Sequence, residues 1–307
     1  MPEVHHVPDE EVPADPLRGL PGPATDAETT TDAETGTDAG TGTGTADAAW
    51  FDEVLADTAG VQGHAEHRLG GSADLLGPLV VAASRLEDFR AELPAGTHAL
   101  PVHLVADAAD RRDGLTTLRE ARNGLFDDDR VTIAGVQLAL PADAHPGAAA
   151  ALLLRILDFS APAWLEVPLV DGWEAALDVV AEDGTEHVAV RGDWAADLLA
   201  AFVRRAVALD LTFRVTGDVG AVRGPHPGTG AVSTGLLNLL CAVHAAAGGA
   251  SSPDVVAVLE ATVVAPLASA VRRSGATGAG AARRLMATVD TSDVGGVVTD
   301  LRGFGLL

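Results

Sequence analysis

Ala163-Trp-Leu-Glu-Val-Pro-Leu169, Glu186-His-Val-Ala-Val-Arg191 and Leu211-Thr-Phe-Arg-Val-Thr216 decide the fold. Each is a short run rich in β-branched and aromatic residues. Between them lie two helix-length amphipathic runs, 172–182 and 194–209. Strand, helix, strand, helix, strand in that rhythm marks parallel βαβ units, whose ligand sites form at the carboxyl ends of the strands. Glu166, Arg191 and Arg214 lie in or at the ends of these runs and are the first site candidates.

Working outward, the same alternation continues upstream. Gly77-Pro-Leu-Val-Val-Ala-Ala-Ser84 reads as a short buried strand followed by a helix through Leu93 with Ser84 as cap; further strands are expected at 101–106 and 130–140, and helices at 115–125 and 147–158. One long helix from Asp74 competes with the strand and helix between Gly77 and Leu93. Trp50-Phe51-Asp52-Glu53-Val54-Leu55 has helical spacing. Downstream, 218–233 reads as a loop, and 234–247, 253–260, 263–273, 279–289 and 297–304 read as helices. Six βα repeats are countable rather than eight. The fold class expected is therefore an α/β protein, an incomplete or irregular TIM-like parallel (βα) barrel with a helical C-terminal section. That section, 234–307, is expected to cover the sheet edges, which would otherwise invite pairing with other chains. One domain spans 49–307.

Residues 1–48 are different in kind. They show no apolar periodicity, are built from Pro, Thr, Asp, Glu, Gly and Ala, and carry eleven acidic residues against Arg18 alone. A segment that buries so little apolar surface cannot offset its ordering entropy, so a disordered acidic tail is expected. It reads as a solubilising arm or an acidic interaction arm, with His5 and His6 inert within it.

Composition excludes several chemistries. All 20 basic residues are Arg, 44 are Asp or Glu, and the formal charge is −24. That field repels phosphodiester backbones and anionic lipid, so neither nucleic acid nor membrane is an expected partner. Without Lys there is no Schiff-base chemistry, no pyridoxal-phosphate attachment and no P-loop lysine, and without Tyr no Tyr-Lys reductase pair. Cys241 is the single cysteine, so no intrachain disulfide is possible. No secretory signal pattern opens the chain and no uninterrupted apolar run reaches membrane-spanning length, so a cytoplasmic protein is expected.

The local motifs read as structure. Gly224-Pro-His-Pro-Gly228-Thr-Gly230 precedes a helix but lacks the P-loop lysine and the dinucleotide spacing, and Gly275-Ala-Thr-Gly278-Ala-Gly280 follows a helix rather than a strand. His64-Ala-Glu-His67 has helical spacing without a third ligand nearby, and reads as a pair of surface histidines. Asp127-Asp128-Asp129 lacks the alternation of a calcium loop and reads as a solvated turn. Ser72, Ser84 and Ser160 lack a nucleophile elbow. Cys241 and His244 share one stripe of an apolar helix and read as core. No cofactor and no metal are expected.

The distributed constellation is stronger. Side chains at successive strand ends of a barrel converge on one mouth, where Gln137, Glu166, Arg191 and Arg214 would share a pocket with Arg223 of the following loop and Asn238. Guanidinium groups there favour a carboxylate or phosphate ligand, a small anionic metabolite, with Glu166 orienting them or accepting a proton. The competing reading is a structural ion pair between Glu166 and an arginine.

Five segments carry a resemblance. They are Val188-Ala-Val-Arg191-Gly192-Asp193, Arg214-Val-Thr216-Gly217-Asp-Val-Gly220-Ala-Val-Arg223, Thr234-Gly235-Leu-Leu-Asn238, Asp290-Thr291-Ser292-Asp293 and Asp300-Leu-Arg-Gly-Phe-Gly305-Leu-Leu. From about Leu76 to Leu307 the chain resembles a family of functionally uncharacterised, barrel-like bacterial proteins common in actinobacteria. Their corresponding segments read Lys-x-Arg-x-Gly-Gly, Lys-x-Thr-Ala-Gly-Leu-His-His leading to an Arg, His-Gly-Phe-Leu-Asn, Gly-Thr-Cys-Ser and Asp-Leu-x-x-Leu-Gly. Here the second segment is one residue shorter. Both lysines, the His-His pair, the leading His and the Cys are absent, whereas Arg191, Thr216, Gly217, Arg223, Gly235 and Asn238 match. The resemblance implies a retained framework with altered chemistry: a divergent member, non-catalytic, that binds a small anion or serves as a scaffold. The alternative is an enzyme acting on a carboxylate- or phosphate-bearing metabolite through Glu166 and the strand-end arginines.

Overall fold

The computed structural model describes residues 48–107, 111–157, 161–184, 187–225, 230 and 232–307. The acidic segment 1–47, Ser160 and most of the Gly224–Gly230 loop lie outside the described residues.

Eight parallel strands form a closed barrel: β1 (Leu55–Asp57), β2 (Leu76–Ala82), β3 (Leu100–Val105), β4 (Val131–Ala139), β5 (Ala163–Glu166), β6 (His187–Arg191), β7 (Thr212–Thr216) and β10 (Met286–Thr291). The order around the barrel is β1-β10-β7-β6-β5-β4-β3-β2. The TIM-like α/β class read from the sequence therefore holds, and the barrel is complete. β1 and β10 supply the two strands missing from the sequence count: β1 begins at Leu55, where the expected helical stretch ends, and the first four residues of β10 fall in the helix expected over 279–289. β1 is three residues long, too short for a period-2 signal, and it is held on both sides: Leu55 pairs with Val289 and with Leu76. β10 follows α9 (Val264–Leu285) without a break, so no turn residue marks where helix becomes strand.

The remaining helices are α1 (Gly60–Leu69), α2 (Leu86–Glu92), α3 (Arg111–Leu125), α4 (Pro146–Ile156), α5 (Glu174–Asp183), α6 (Ala196–Ala208), α7 (Leu236–Ala247), α8 (Ser252–Glu260) and α10 (Val294–Gly303). Three helices, α7 to α9, lie between β7 and β10, and these make the C-terminal section helical. α9 joins the two helices expected from the sequence across a kink at Gly275, whose φ is 51°. The Trp50 indole donates to the Gly275 carbonyl at 3.0 Å, which holds the kink against the segment entering β1. Two further two-residue strands, β8 (Gly224–Pro225) and β9 (Val232–Ser233), pair antiparallel in the loop before α7.

Alternation along the strands sorts side chains into two environments. Leu165, Val188, Val190, Phe213 and Val215 face outward into a core shared with α4 to α7 and α9, where Phe202 of α6 meets Phe213 edge-on at 5.5 Å. Leu79, Val81, Val102, Leu104, Val136 and Leu138 form a second outer cluster with Phe89 of α2 and Leu118, Ala121 and Leu125 of α3. Each large apolar side chain buried in this way contributes about 1.5–3 kcal/mol. The opposite residues of the same strands face the lumen, and they are polar to a degree unusual for parallel strands. One glycine is required on backbone grounds: a Cβ at Gly235 would lie 2.3 Å from Val222 Cα, where the chain bridges Gly220 to Gly235.

Two local expectations are corrected. Ser84 caps no helix; its hydroxyl donates to Asp107 at the end of β3. His64 and His67 are not surface histidines: His64 is 1% exposed, and both rings lie against the buried Asp57 carboxylate.

Among the described residues no single helix is long and apolar enough to cross a membrane, although the bent pair α8 and α9 passes that length and composition test together.

Candidate functional site at the barrel mouth

The lumen is built in register from four neighbouring strands. Ala139 of β4 lies beside Glu166 of β5, Glu166 beside Ala189 of β6, and Ala189 beside Arg214 of β7. One pleat higher, Arg191 lies beside Thr216. Period-2 alternation sends all of these inward, so Glu166, Arg191, Arg214 and Thr216 surround one mouth. Asp290 of β10 completes the ring.

The ion pairing differs from the arrangement expected. Arg214 does not pair with Glu166. It is fully buried and donates from Nη2 to Asp290 Oδ1. Its position in the middle of β7, below the strand end, puts it level with the lumen floor, where the next strand offers a carboxylate. Arg191, at the end of β6, is exposed and binds Asp193 two residues on, through Nε at 3.0 Å and through Nη2. Glu166 is left to neutral partners: Gln137 Nε2 donates to its Oε2 at 2.7 Å and Thr216 Oγ1 at 3.4 Å.

These partners set the proton affinities. Burial raises the Glu166 carboxyl above its ordinary value and Asp290 adds to the rise, against the opposing pull of Arg191 and of the bonds from Thr216 and Gln137. Burial also raises Asp290, with Arg214 opposing it. His103, on β3 inside the barrel, is held well below the usual imidazole range by burial and by the nearby charges of Arg214 and His187, so its ring is neutral at pH 7.

Beneath the ring the lumen holds several buried polar atoms without partners: Arg214 Nε and Nη1, His103 Nε2, Trp164 Nε1 and Gln137 Oε1. Trp164 packs between His103 and His187, at ring centroid distances of 5.8 and 4.7 Å. Gly135 makes room for them. A Cβ there would lie 2.8 Å from both His103 Cε1 and Trp164 Nε1. Unpartnered buried donors and acceptors concentrated in one lumen mark a place where water or a polar ligand completes the network.

No family model, curated protein or solved structure matches the chain.

The remaining candidates from the sequence lie elsewhere in the network. Asn238, fully buried at the start of α7, uses its whole side chain on backbone: Oδ1 accepts from Arg223 N at 2.8 Å, and Nδ2 donates to the carbonyls of Val258 and Ala261 at 2.8 and 2.7 Å. It ties the loop after β7 to the end of α8. Arg223 is drawn into that tie by its amide. Gln137, Glu166 and Arg214 are brought together, with Arg191 at the rim.

Sequence reasoning missed Asp290, Thr216, His103 and Trp164 as members of the site. A signal existed for Trp164 and Thr216. Trp164 and Glu166 are two apart, as are Arg214 and Thr216, and polar or amphipathic residues at period 2 within parallel strands mean a polar lumen. Asp290 was quoted only within a resemblance segment, and not as a site residue, because most of its strand read as helix.

The Asp57 cluster lies outside the lumen, at the end of β1. His67 Nδ1 is 2.8 Å and His64 Nδ1 3.3 Å from Asp57 Oδ2, and Arg68 Nε donates to His64 Nε2 at 3.0 Å. That last bond makes His64 Nε2 an acceptor and so places the His64 proton on Nδ1, facing Asp57. Burial works to raise the Asp57 carboxyl, and the two imidazole bonds and the Ala59 amide outweigh it, leaving the value lowered. Among the described residues no group of His, Cys, Asp and Glu has the arrangement to hold a metal ion. Burial pushes the Cys241 thiol up to about 12, which makes it inert as a nucleophile.

Proposed function

We propose that the barrel mouth binds a small anionic metabolite, with Arg191 as the accessible cation, Glu166 as the polar group facing the ligand, and the Arg214–Asp290 pair as the floor. The observation that carries this reading is the set of unmatched buried donors, Arg214 Nε and Nη1 and Trp164 Nε1, directly under a ring of strand-end polar side chains. A purely structural ion pair would be expected to satisfy its own donors. Arg214 has one of its three nitrogens engaged, and the lumen around it is polar rather than packed with the branched aliphatic layers usual inside such barrels.

An enzymatic reading has its own support. Glu166 has raised proton affinity, is not locked to an arginine, and stands at the mouth where a general acid or base belongs. In that reading Glu166 exchanges a proton with the bound ligand while Arg191 and Arg214 hold negative charge.

The test is a thermal midpoint titration against a panel of small oxyanions. Binding raises the midpoint saturably by mass action, and Arg191→Ala removes the increase without lowering the midpoint of the free protein, because Arg191 is exposed. An unsaturable response, or an equal response in Arg191→Ala, sinks the binding reading. For the enzymatic reading, Glu166→Gln keeps the ligand-induced increase and loses turnover of the same ligand.

A further inference from the structure

The anion-binding corner that a (βα)8 barrel offers after its seventh and eighth strands, with the N-terminus of the helix beyond, is filled by this chain's own carboxylates. Phosphate sites at that corner are made of backbone N–H groups pointing at the ligand. Here three of those groups are already spent. Ser292 N donates to Asp218 Oδ1 at 2.8 Å, Asp293 N to Thr291 Oγ1 at 3.2 Å, and Gly296 N to Asp293 Oδ1 at 2.8 Å. The Ser292 hydroxyl is bound as well, to Asp218 Oδ2 at 2.7 Å. A Cβ on Gly296 would lie 2.2 Å from Asp293 Oδ2, so the Asp293 carboxylate lies directly over the opening turn of α10. The cavity that remains there, about 150 Å³, is lined by Asp218, Asp293 and Asp300.

The charge of the mouth points the same way. Glu166, Asp193 and Asp290 accompany Arg191 and Arg214, and each arginine already holds one carboxylate. A phosphate monoester brings about −1.5 to −2 charges at pH 7 and three strong acceptor oxygens. It would find three of the corner's backbone amides already bonded to the chain's own side chains, and no surplus positive charge at the ring. A single carboxylate brings one charge, and Arg191 Nη1 remains for it.

We infer that the ligand of this mouth is a small non-phosphorylated monocarboxylate, and that Asp218 and Asp293 are the residues that exclude its phosphorylated counterparts. The inference rests on the binding reading above and narrows it to one chemical class. Phosphate is refused by occupation of its usual place and by repulsion, rather than by lack of space.

Matched pairs test it: glycolate against 2-phosphoglycolate and pyruvate against phosphoenolpyruvate, each titrated against the thermal midpoint of the full chain. The expected result is saturable stabilisation by at least one monocarboxylate, with its phosphorylated partner needing at least roughly tenfold more, or about 1.4 kcal/mol of discrimination. Asp218→Asn with Asp293→Asn narrows that gap. Equal or stronger stabilisation by the phosphorylated partner in wild type overturns the inference and leaves the binding reading standing. A response to neither member of either pair overturns both. The wild-type comparison decides the matter by itself if the double variant does not fold.

Discussion

At the scale of single residues the lumen shows how polar groups are kept inside a barrel. Arg214 and Asp290 stabilise one another only as a pair: removing either leaves a buried charge, while replacing both removes the desolvation cost as well. Arg214→Ala is expected to destabilise by about 3–5 kcal/mol in chemical denaturation, and Arg214→Met with Asp290→Leu to recover most of that loss. A double variant as unstable as the single one would show that the pair organises the lumen beyond its own contact. Gly135 is the complementary case, since its missing side chain is what admits His103 and Trp164. Gly135→Ala should cost about 1–3 kcal/mol through overpacking, measured by the same denaturation curves. Asp57 gives a pH dependence of definite sign. Its folded value lies below its unfolded value of about 3.9, so its contribution to stability is present above that pH and is lost as pH falls through the depressed folded value. Asp57→Asn should therefore flatten the acid limb of the stability profile. An unchanged acid limb would mean that the two imidazole contacts do not favour the ionised form.

Among elements, the strands were legible where alternation ran for four residues or more, and illegible where it did not. β5, β6 and β7 each show two or three outward apolar residues interleaved with inward polar ones, which is a pattern in the chain itself. β1 has three residues and becomes a strand only because β10 and β2 hold it from both sides. β10 continues from a 22-residue helix with no Pro, Gly or Asn between them, so its conversion to strand depends on the free edges of β1 and β7. The pairing of His64 and His67 with Asp57 was hidden for a similar reason: the acid lies on β1 and the imidazoles on the helix that follows. Asn238 joins elements rather than facing the mouth. Asn238→Ala leaves two carbonyls and an amide without their partner, and because Asn238 is fully buried the expected cost is about 3 kcal/mol. A loss below about 1 kcal/mol, within the range of one ordinary hydrogen bond, would mean that water replaces the side chain there.

The whole molecule carries a charge of −24 and has no lysine, and every cation it uses is a guanidinium. Self-repulsion of that size is screened by salt, so the thermal midpoint should rise between low salt and about 0.5 M sodium chloride, where the Debye length is about 4 Å. Removing residues 1–46 should leave the midpoint nearly unchanged, because their composition supplies almost nothing apolar to pack; a clear drop would show that the segment docks on the barrel. By itself the sequence determined the class of the fold, the excluded chemistries and four of the polar residues around the mouth, Gln137, Glu166, Arg191 and Arg214, because all of these follow from period, composition and strand-end position. Tertiary structure alone decided closure, the partner of each charge and the occupation of the corner after the eighth strand. Closure needs strands some 230 residues apart to pair, Leu55 with Val289, and no local preference encodes that meeting. Arg214 chose Asp290 over Glu166 for the same reason: an ion pair is set by which side chains the closed barrel brings together, and distance along the chain says nothing about it.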